Sequence, residues 1–304
     1  MPSRRQIREA VVQFLYCADL EGGADPAALK DPFWEFVTES DLRNLQLATF
    51  RTVHHLADGR HGRLAEFVER QAVAATLLSA WPQAEPLQLA LHRIAELESG
   101  WSSALAKLER LPRDNDDASV AASFGAALDA LFLIDHDLAA ARARFLDSMA
   151  DFPALRGPLE AVAASIRRLQ RVSDRLRMVE EPEKFPDQAD LARLRESKAE
   201  IHALRHRTDQ LVDSILARKE DIDTAIAAVV DNYMPERIDP VDRAVLRLAV
   251  HEILHATTPP KVAINEAIEL AKRFGTTDSG RFVNGVLDRI AKAANGKSES
   301  GRAL

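Results

Sequence analysis

The sequence of 304 residues predicts an all-α protein, in which a helical bundle core is interrupted by a large helical insertion containing a coiled-coil-like hairpin. Three observations carry this. Only 12 glycines, 14 prolines and 6% aromatic residues leave little of the turn chemistry that a sandwich or barrel needs. Apolar residues recur at helical spacing through most of the chain, and no stretch alternates β-branched residues as a strand would. Runs rich in Pro, Gly, Asp and Asn separate the periodic segments.

Residues 4–20 place Ile7, Val11, Phe14, Leu15 and Ala18 on one helical face and stop at Gly22-Gly23. Residues 24–40 read as a turn and a short helix. Amphipathic stretches continue at roughly 42–57, 62–80, 86–109 and 118–150, divided at Trp81-Pro82 and at Leu111-Pro112-Arg113-Asp114. Leu155, Leu159, Val162, Ile166, Leu169, Ser173 and Leu176 then alternate spacings of four and three. After a proline-containing loop, Leu194, Ile201, Thr208, Ile215 and Ile222 repeat every seven, with Leu204 and Leu211 between them. Two such seams imply an antiparallel hairpin; the alternative is two ordinary helices on a shared core.

Further on, Asp239-Pro240 starts a helix, because Asp caps it and Pro fits its first position. Thr257-Thr258-Pro259-Pro260 stops it near Ala256. The next helix puts Val262, Ala267, Leu270, Ala271 and Phe274 on one side and ends at Gly275, a natural left-handed terminator. Thr276-Thr277-Asp278 begins a last helix whose Phe282, Val286, Leu287 and Ile290 face inward. A disordered tail is expected over 296–304.

The net charge of −7 is unevenly spread. Residues 21–200 carry −8, residues 1–20 carry +1, and 272–304 hold seven basic against three acidic residues. A single cysteine, Cys17, excludes an intrachain disulfide framework and a cysteine-rich zinc fold, and suits a reducing cytoplasm. No apolar run approaches the roughly 18 residues of a membrane span. The start, MPSRRQIREAVVQF, interrupts its apolar residues with Arg8 and Glu9, unlike a secretory signal.

The sharpest enzymatic pattern is His251-Glu252-Ile253-Leu254-His255. Histidines four apart share a helix face and can hold zinc, with Glu252 as base for a bound water. On the helical wheel Glu252 falls near the middle of the apolar stripe and both histidines on its flank. A third ligand is missing, unless Glu266 or Glu269 folds back. The plainer reading has Glu252 as a partly buried carboxylate bonded to a neighbour, and it is preferred. No glycine-rich phosphate loop occurs, and Cys17 lies in an apolar helix where inert buried thiols are commoner. The second candidate binds rather than reacts. Lys272, Arg273 and Arg281 bracket the turn at Gly275, with Phe274 and Phe282 at its edges and Asn284 one turn on. Cations neutralise phosphates, a ring stacks a base, and an amide reads a base edge, which suits single-stranded RNA. The alternative is two core phenylalanines and a solvated rim.

These residues carry a resemblance. RIDPVDRAVLRLAVHEILHATTPPKVAINEAIELAKRFGTTDSGRFVNGVLDRIAK (237–292) resembles the C-terminal half of the NusB family of transcription antitermination factors. RRQIREAVVQFLYCADL resembles its first helix, and 205–230 resembles the helices before the C-terminal half. The stretch 48–69 also resembles the family's third helix, but 205–230 leads continuously into the C-terminal half. The resemblance implies a NusB-like RNA-binding core of 1–35 with 205–295, an insertion of 36–204, no enzymatic activity and no cofactor. It implies as partners boxA-type single-stranded RNA of nascent rRNA, the small-subunit ribosomal protein NusE and the RNA polymerase antitermination complex, with no membrane, in the cytoplasm. Arg4, Arg5, Arg8, Lys272, Phe274, Asp278, Arg281, Phe282 and Asn284 are implied on the RNA surface, and Tyr16, Glu236 and Asp242 towards the protein partner. Gln6 breaks the basic run at the start. The acidic insertion reads as a poor RNA surface. A second reading is a NusB-fold protein-interaction scaffold without RNA binding.

Overall fold

The computed structural model describes residues 1–22, 25–112, 118–230 and 237–300, with residues 118 and 295–300 as backbone only. The described residues form helices and no strand. The chain divides into two compact units: Met1–Glu39 with Ala199–Leu304, and Ser40–Lys198.

The first unit begins with α1 (Arg4–Leu20). Its start is a capping box: the Gln6 amide donates to Ser3 Oγ at 3.1 Å and the Ser3 amide to Gln6 Oε1 at 2.7 Å. Gln6, which breaks the basic run, therefore serves the helix end. Gly22 takes φ 55°, the left-handed conformation that glycine adopts at least cost. In α2 (Pro26–Val37), Asp25 accepts from the Ala27 amide at 3.0 Å. Phe33 meets Phe14 edge-on at 5.2 Å, and Trp34 Nε1 donates to Asp209 at 2.8 Å, so α2 bridges α1 and the later part of α8 (Ala192–Leu216).

A bend at Ala217-Arg218 leads to α9 (Lys219–Ala227). Then α10 (Pro240–His255) packs on α1, α9, α11 (Pro260–Phe274) and α12 (Ser279–Ser300). Asp239 caps it as expected, accepting from the Val241 amide at 2.9 Å. Every residue from 244 to 250 is buried. The one-sided stripe expected from the wheel is thus too narrow, because helices cover this rod on all sides.

Two expectations at the C-terminus are corrected. Gly275 ends α11 with φ −98° and ψ −163°, extended rather than left-handed. Its glycine is required by space, since a Cβ there would meet Ser279 Oγ at 2.5 Å and the Ala271 carbonyl oxygen at 2.8 Å. Helix α12 runs on through Gly296 to Ser300, where the composition predicts disorder. One glycine costs a helix about 1 kcal/mol, too little to end it outright. Residues 301–304 lie outside the described residues.

The second unit holds α3 (Glu39–Asp58), α4 (His61–Ser79), α5 (Glu85–Arg110), α6 (Ala118–Ser148) and α7 (Arg156–Glu180). α4 packs on α5, α5 on α6, α6 on α7 and α7 back on α4, closing a four-helix ring around Phe67, Leu78, Leu91, Ile94, Trp101, Leu131, Phe145, Leu159 and Ile166. The stretch 48–69 is two helices, parted at Gly59-Arg60. By length and composition α6 would reach across a membrane, although the sequence shows no unbroken apolar run; its alanines raise the mean hydropathy, and Phe124, Leu128, Leu131, Leu138 and Phe145 lie in the core.

The two heptad seams are buried, but in different cores. Leu159, Ile166, Leu169 and Leu176 lie in the second unit, with Leu194, whereas Val212, Ile215 and Ile222 lie in the first. The bend at Ala217-Arg218 removes Ile222 from the helix that carries Ile215. The spacing therefore marks two buried helix faces, each lined by other helices of its own core.

Ser173, the polar member of the first seam, belongs to a buried network. Glu98 accepts from both Arg60 and Arg142, Arg142 Nη1 donates to Ser173 Oγ at 2.8 Å, and Ser173 donates to Asp135 at 2.8 Å. The Arg60 guanidinium lies 3.9 Å over the Trp101 ring. Burial pushes the Asp135 pKa up, against the Ser173 bond and the Arg142 charge. Removing one partner of such a set strands a buried charge. Glu98→Gln should cost roughly 3–5 kcal/mol, read as faster amide exchange through α5 and α6 and a lower denaturant midpoint for this unit.

Candidate nucleic-acid interface

The start of α1, the end of α11 and the start of α12 form one edge of the first unit. One oxygen of Glu9, Oε1, accepts from Arg5 Nε at 3.1 Å and from Arg273 Nη1. Arg273 also lies 5.3 Å from the centre of the Phe274 ring. Glu269 accepts from Lys272 Nζ at 2.9 Å, and this bond, the Lys272 charge and the Arg5 charge hold its carboxyl below the ordinary range. The Lys272 stem lies where a Cβ on Gly280 would meet Cγ at 3.3 Å, so Gly280 lets α11 and α12 approach. Arg281 is 3.9 Å from Asp278, and both are almost fully exposed. Cations and acids alternate along this edge, with Arg273, Arg5, Lys272 and Arg281 interleaved by Glu9, Glu269 and Asp278.

Of the residues expected on an RNA surface, Arg4, Arg5, Lys272, Asp278 and Arg281 are exposed, and Phe274, Phe282 and Asn284 are half-buried. Arg8 is not on that surface. It is 6% exposed, and its Nε donates to Glu252 at 2.9 Å while Nη1 lies 3.4 Å from Glu266. One turn before the buried Val11 and Val12, it falls on the core side of α1, where the carboxylates of α10 and α11 meet it. The interleaved acids Glu9 and Glu269 carry no sequence signal beyond their spacing from Arg5 and Lys272.

The partner-facing set divides too. Tyr16 lines an apolar groove of about 340 Å³ with Val12, Phe33, Phe36 and Phe274. Asp242 is buried at 6% exposure, which raises its pKa, and the Ser279 hydroxyl donates to it. It joins the starts of α10 and α12 and is buried where the first turn of α10 lies against α12. Glu236 lies outside the described residues.

The carboxylate of the zinc pattern is bonded to a neighbour, as the plainer reading had it. Glu252 holds Arg8, and His251 is buried with Nε2 3.3 Å from Ser214 Oγ. Burial, then the neighbouring charges of His255 and Arg218, push the His251 pKa down to about 4. Among the described residues no group of three His, Cys, Asp or Glu is arranged to hold a metal.

A family model described as the NusB family matches residues 161–292, beginning within α7 and taking in 205–230. Transcription antitermination protein NusB of Anaeromyxobacter sp. (strain Fw109-5) is 52% identical over 80 residues, 26% of this chain and 56% of its own length. That of Bdellovibrio bacteriovorus is 47% identical over 87 residues, 28% of this chain and 64% of its own. That of Geobacter sulfurreducens is 46% identical over 99 residues, 32% of this chain and 72% of its own. A solved structure of T. maritima NusB is 40% identical, covers 33% of this chain and 75% of its own, and has a TM-score of 0.29. The chain thus spans little more than half the length of the first of these relatives.

Two measurements check these buried groups of the first unit. The unfolded chain takes up a proton on His251 near 6.5 and the folded chain only near 4. The stabilising contribution is therefore complete above pH 6.5 and is lost as the pH falls towards 4. His251→Asn should flatten the rise of stability with pH across that window, by at most about 1.4 kcal/mol per pH unit, in urea titrations at pH 7 and pH 5. Arg8→Met should destabilise the first unit by roughly 3–5 kcal/mol, since Glu252 is left buried and uncompensated.

Proposed function

The chain belongs to the NusB family, and we propose that it is a non-enzymatic, cytoplasmic antitermination factor. In this reading it binds boxA-type single-stranded RNA in nascent rRNA together with NusE, a small-subunit ribosomal protein, within the RNA polymerase antitermination complex. The observation that carries the reading is the alternating edge, where Arg5, Lys272, Arg273 and Arg281 converge from three helices beside the half-buried rings of Phe274 and Phe282.

Each part has work to do there. A guanidinium held by one nitrogen keeps its other donors for phosphate oxygens. Arg273 uses Nη1 on Glu9 and Arg5 uses Nε, so both remain able to take a phosphate from the solvent side. A half-buried ring offers a stacking surface whose position the core fixes. The apolar groove at Tyr16 and Phe36 suits a protein partner, since Phe36 is 79% exposed on its wall. One observation favours the second reading, a protein-interaction scaffold without RNA binding: the four converging cations already have acidic partners.

A gel-shift titration with boxA-type RNA, with and without NusE, separates the two. Binding that strengthens with NusE and weakens with salt is expected. Arg281→Ala should reduce the slope of log affinity against log salt by about 0.7, the value for one phosphate contact on a single strand. No shift under either condition leaves the scaffold reading standing.

A further inference from the structure

We propose that the outer face of α7 in the second unit is a separate binding site for the phosphate backbone of RNA. This goes beyond the reading of the first unit and does not depend on boxA or NusE. The helix carries six arginines, Arg156, Arg167, Arg168, Arg171, Arg175 and Arg177, against three acids and no lysine. Arg167, Arg171 and Arg175 succeed one another at intervals of four, and Arg168 lies beside them. At 100° per residue the four fall within one quadrant or little more of the helix. The opposite side is the buried seam of Leu159, Val162, Ile166, Leu169 and Leu176. Packing against α4 and α6 therefore turns the arginines outward.

The pairing along this stripe is incomplete. Arg167 meets Glu160 at 2.8 Å, and Arg168 meets Glu66 at 2.7 Å, an acid that Arg70 also holds at 2.5 Å. Arg171 and Arg175 are exposed and have no acidic partner among the described residues, and Asp174 between them accepts from Gln170 at 3.1 Å instead. The Nε of Arg168 is buried without a partner. From Arg167 to Arg175 the helix rises about 12 Å, room for several phosphates of an extended strand.

The chemistry favours RNA over other anionic partners. Arginine's planar fork matches phosphate oxygens two at a time, and its face stacks on bases. A protein interface centres on large apolar anchors, but on the face of α7 that carries these arginines the apolar side chains are the half-buried Ala164 and Met178, which flank them. A membrane surface takes the apolar face of a helix, and that of α7 is in the core. The acidic total of the middle of the chain does not weigh against the stripe, because charges more than about 8 Å away are screened at physiological salt.

The 304-residue chain should be titrated with a fluorescent uridine 30-mer lacking boxA, across a series of KCl concentrations. Arg171→Ala with Arg175→Ala should lower affinity at low salt about tenfold or more and reduce the salt slope by about 1.4, two single-strand phosphate contacts. Lysine at both positions should restore most of the slope, and thermal melts should match the parent. In the same variant the NusE-dependent gain on boxA RNA should persist. An unchanged slope in the alanine variant, with the loss appearing instead in Lys272→Ala with Arg281→Ala, overturns the proposal. So does a variant that loses binding to polyglutamate but not to the uridine strand, which would assign the stripe to an acidic protein.

Discussion

The buried ion pairs between α1 and α10 are the constraint on which the first unit depends. Arg8 reaches Glu252 across 244 positions of sequence, with Glu266 beside it. At the other end of α1, Asp19 accepts from Arg243 at 2.6 Å and Arg247 at 2.7 Å, and Arg247 also holds Asp223 on α9. Burial alone would raise the Asp19 pKa, but those two arginine bonds outweigh it and hold the carboxyl below its usual range. Apolar packing would tolerate α1 sliding along α10; pairs at both ends of the helix do not. Each fixes a rotation and a height, and so sets where Arg5 and Glu9 meet Arg273.

This clamp also explains how the core accommodates a separate unit of about 160 residues between α2 and the later part of α8. Loop-closure entropy grows only with the logarithm of length. Going from a 20-residue connection to one eight times longer costs about 2 kcal/mol. A unit with its own closed ring of helices and its own polar network offsets a term of that size. The register of α1 is then set by charge pairs and the Phe14–Phe33 contact, not by the length of chain that intervenes.

Much of the helical outline was legible because it rests on local chemistry. Asp239-Pro240 and the broken periodicity at Trp81-Pro82 and after Leu111 act within a turn or two, and the helices begin and end there. What was not legible depends on partners far along the chain. Heptad spacing says that Leu169 and Ile215 are buried, but it cannot say in which core. Arg8 and Asp242 have the composition of surface residues, and only the arrival of Glu252 and Ser279 from distant elements takes them inside. Gly275 looks like a left-handed terminator, whereas its real requirement is the approach of Ser279 from the next helix. For the candidate edge, the cations at Lys272 and Arg281 and the acids three residues before each were visible, but the sharing of Glu9 by Arg5 and Arg273 was not, because Arg273 arrives from a different helix and leaves no spacing to read.

That pairing bears on what the edge can do. Exposed ion pairs contribute little, typically between 0 and 1 kcal/mol, because water and salt compete for both partners. Arg281 with Asp278 and Lys272 with Glu269 are of this kind, so a phosphate exchanges with either carboxylate at small cost. Glu9 differs, since its side chain is only 15% exposed and its oxygen is shared by two guanidiniums from separate helices. Displacing it would leave Arg5 and Arg273 repelling each other over a half-buried carboxylate. A phosphate arriving from solvent therefore adds to this trio and does not replace its acid, while at the outer positions it exchanges. The same edge combines a fixed pair of cations, whose geometry the clamp on α1 determines, with two adaptable ones on the rim.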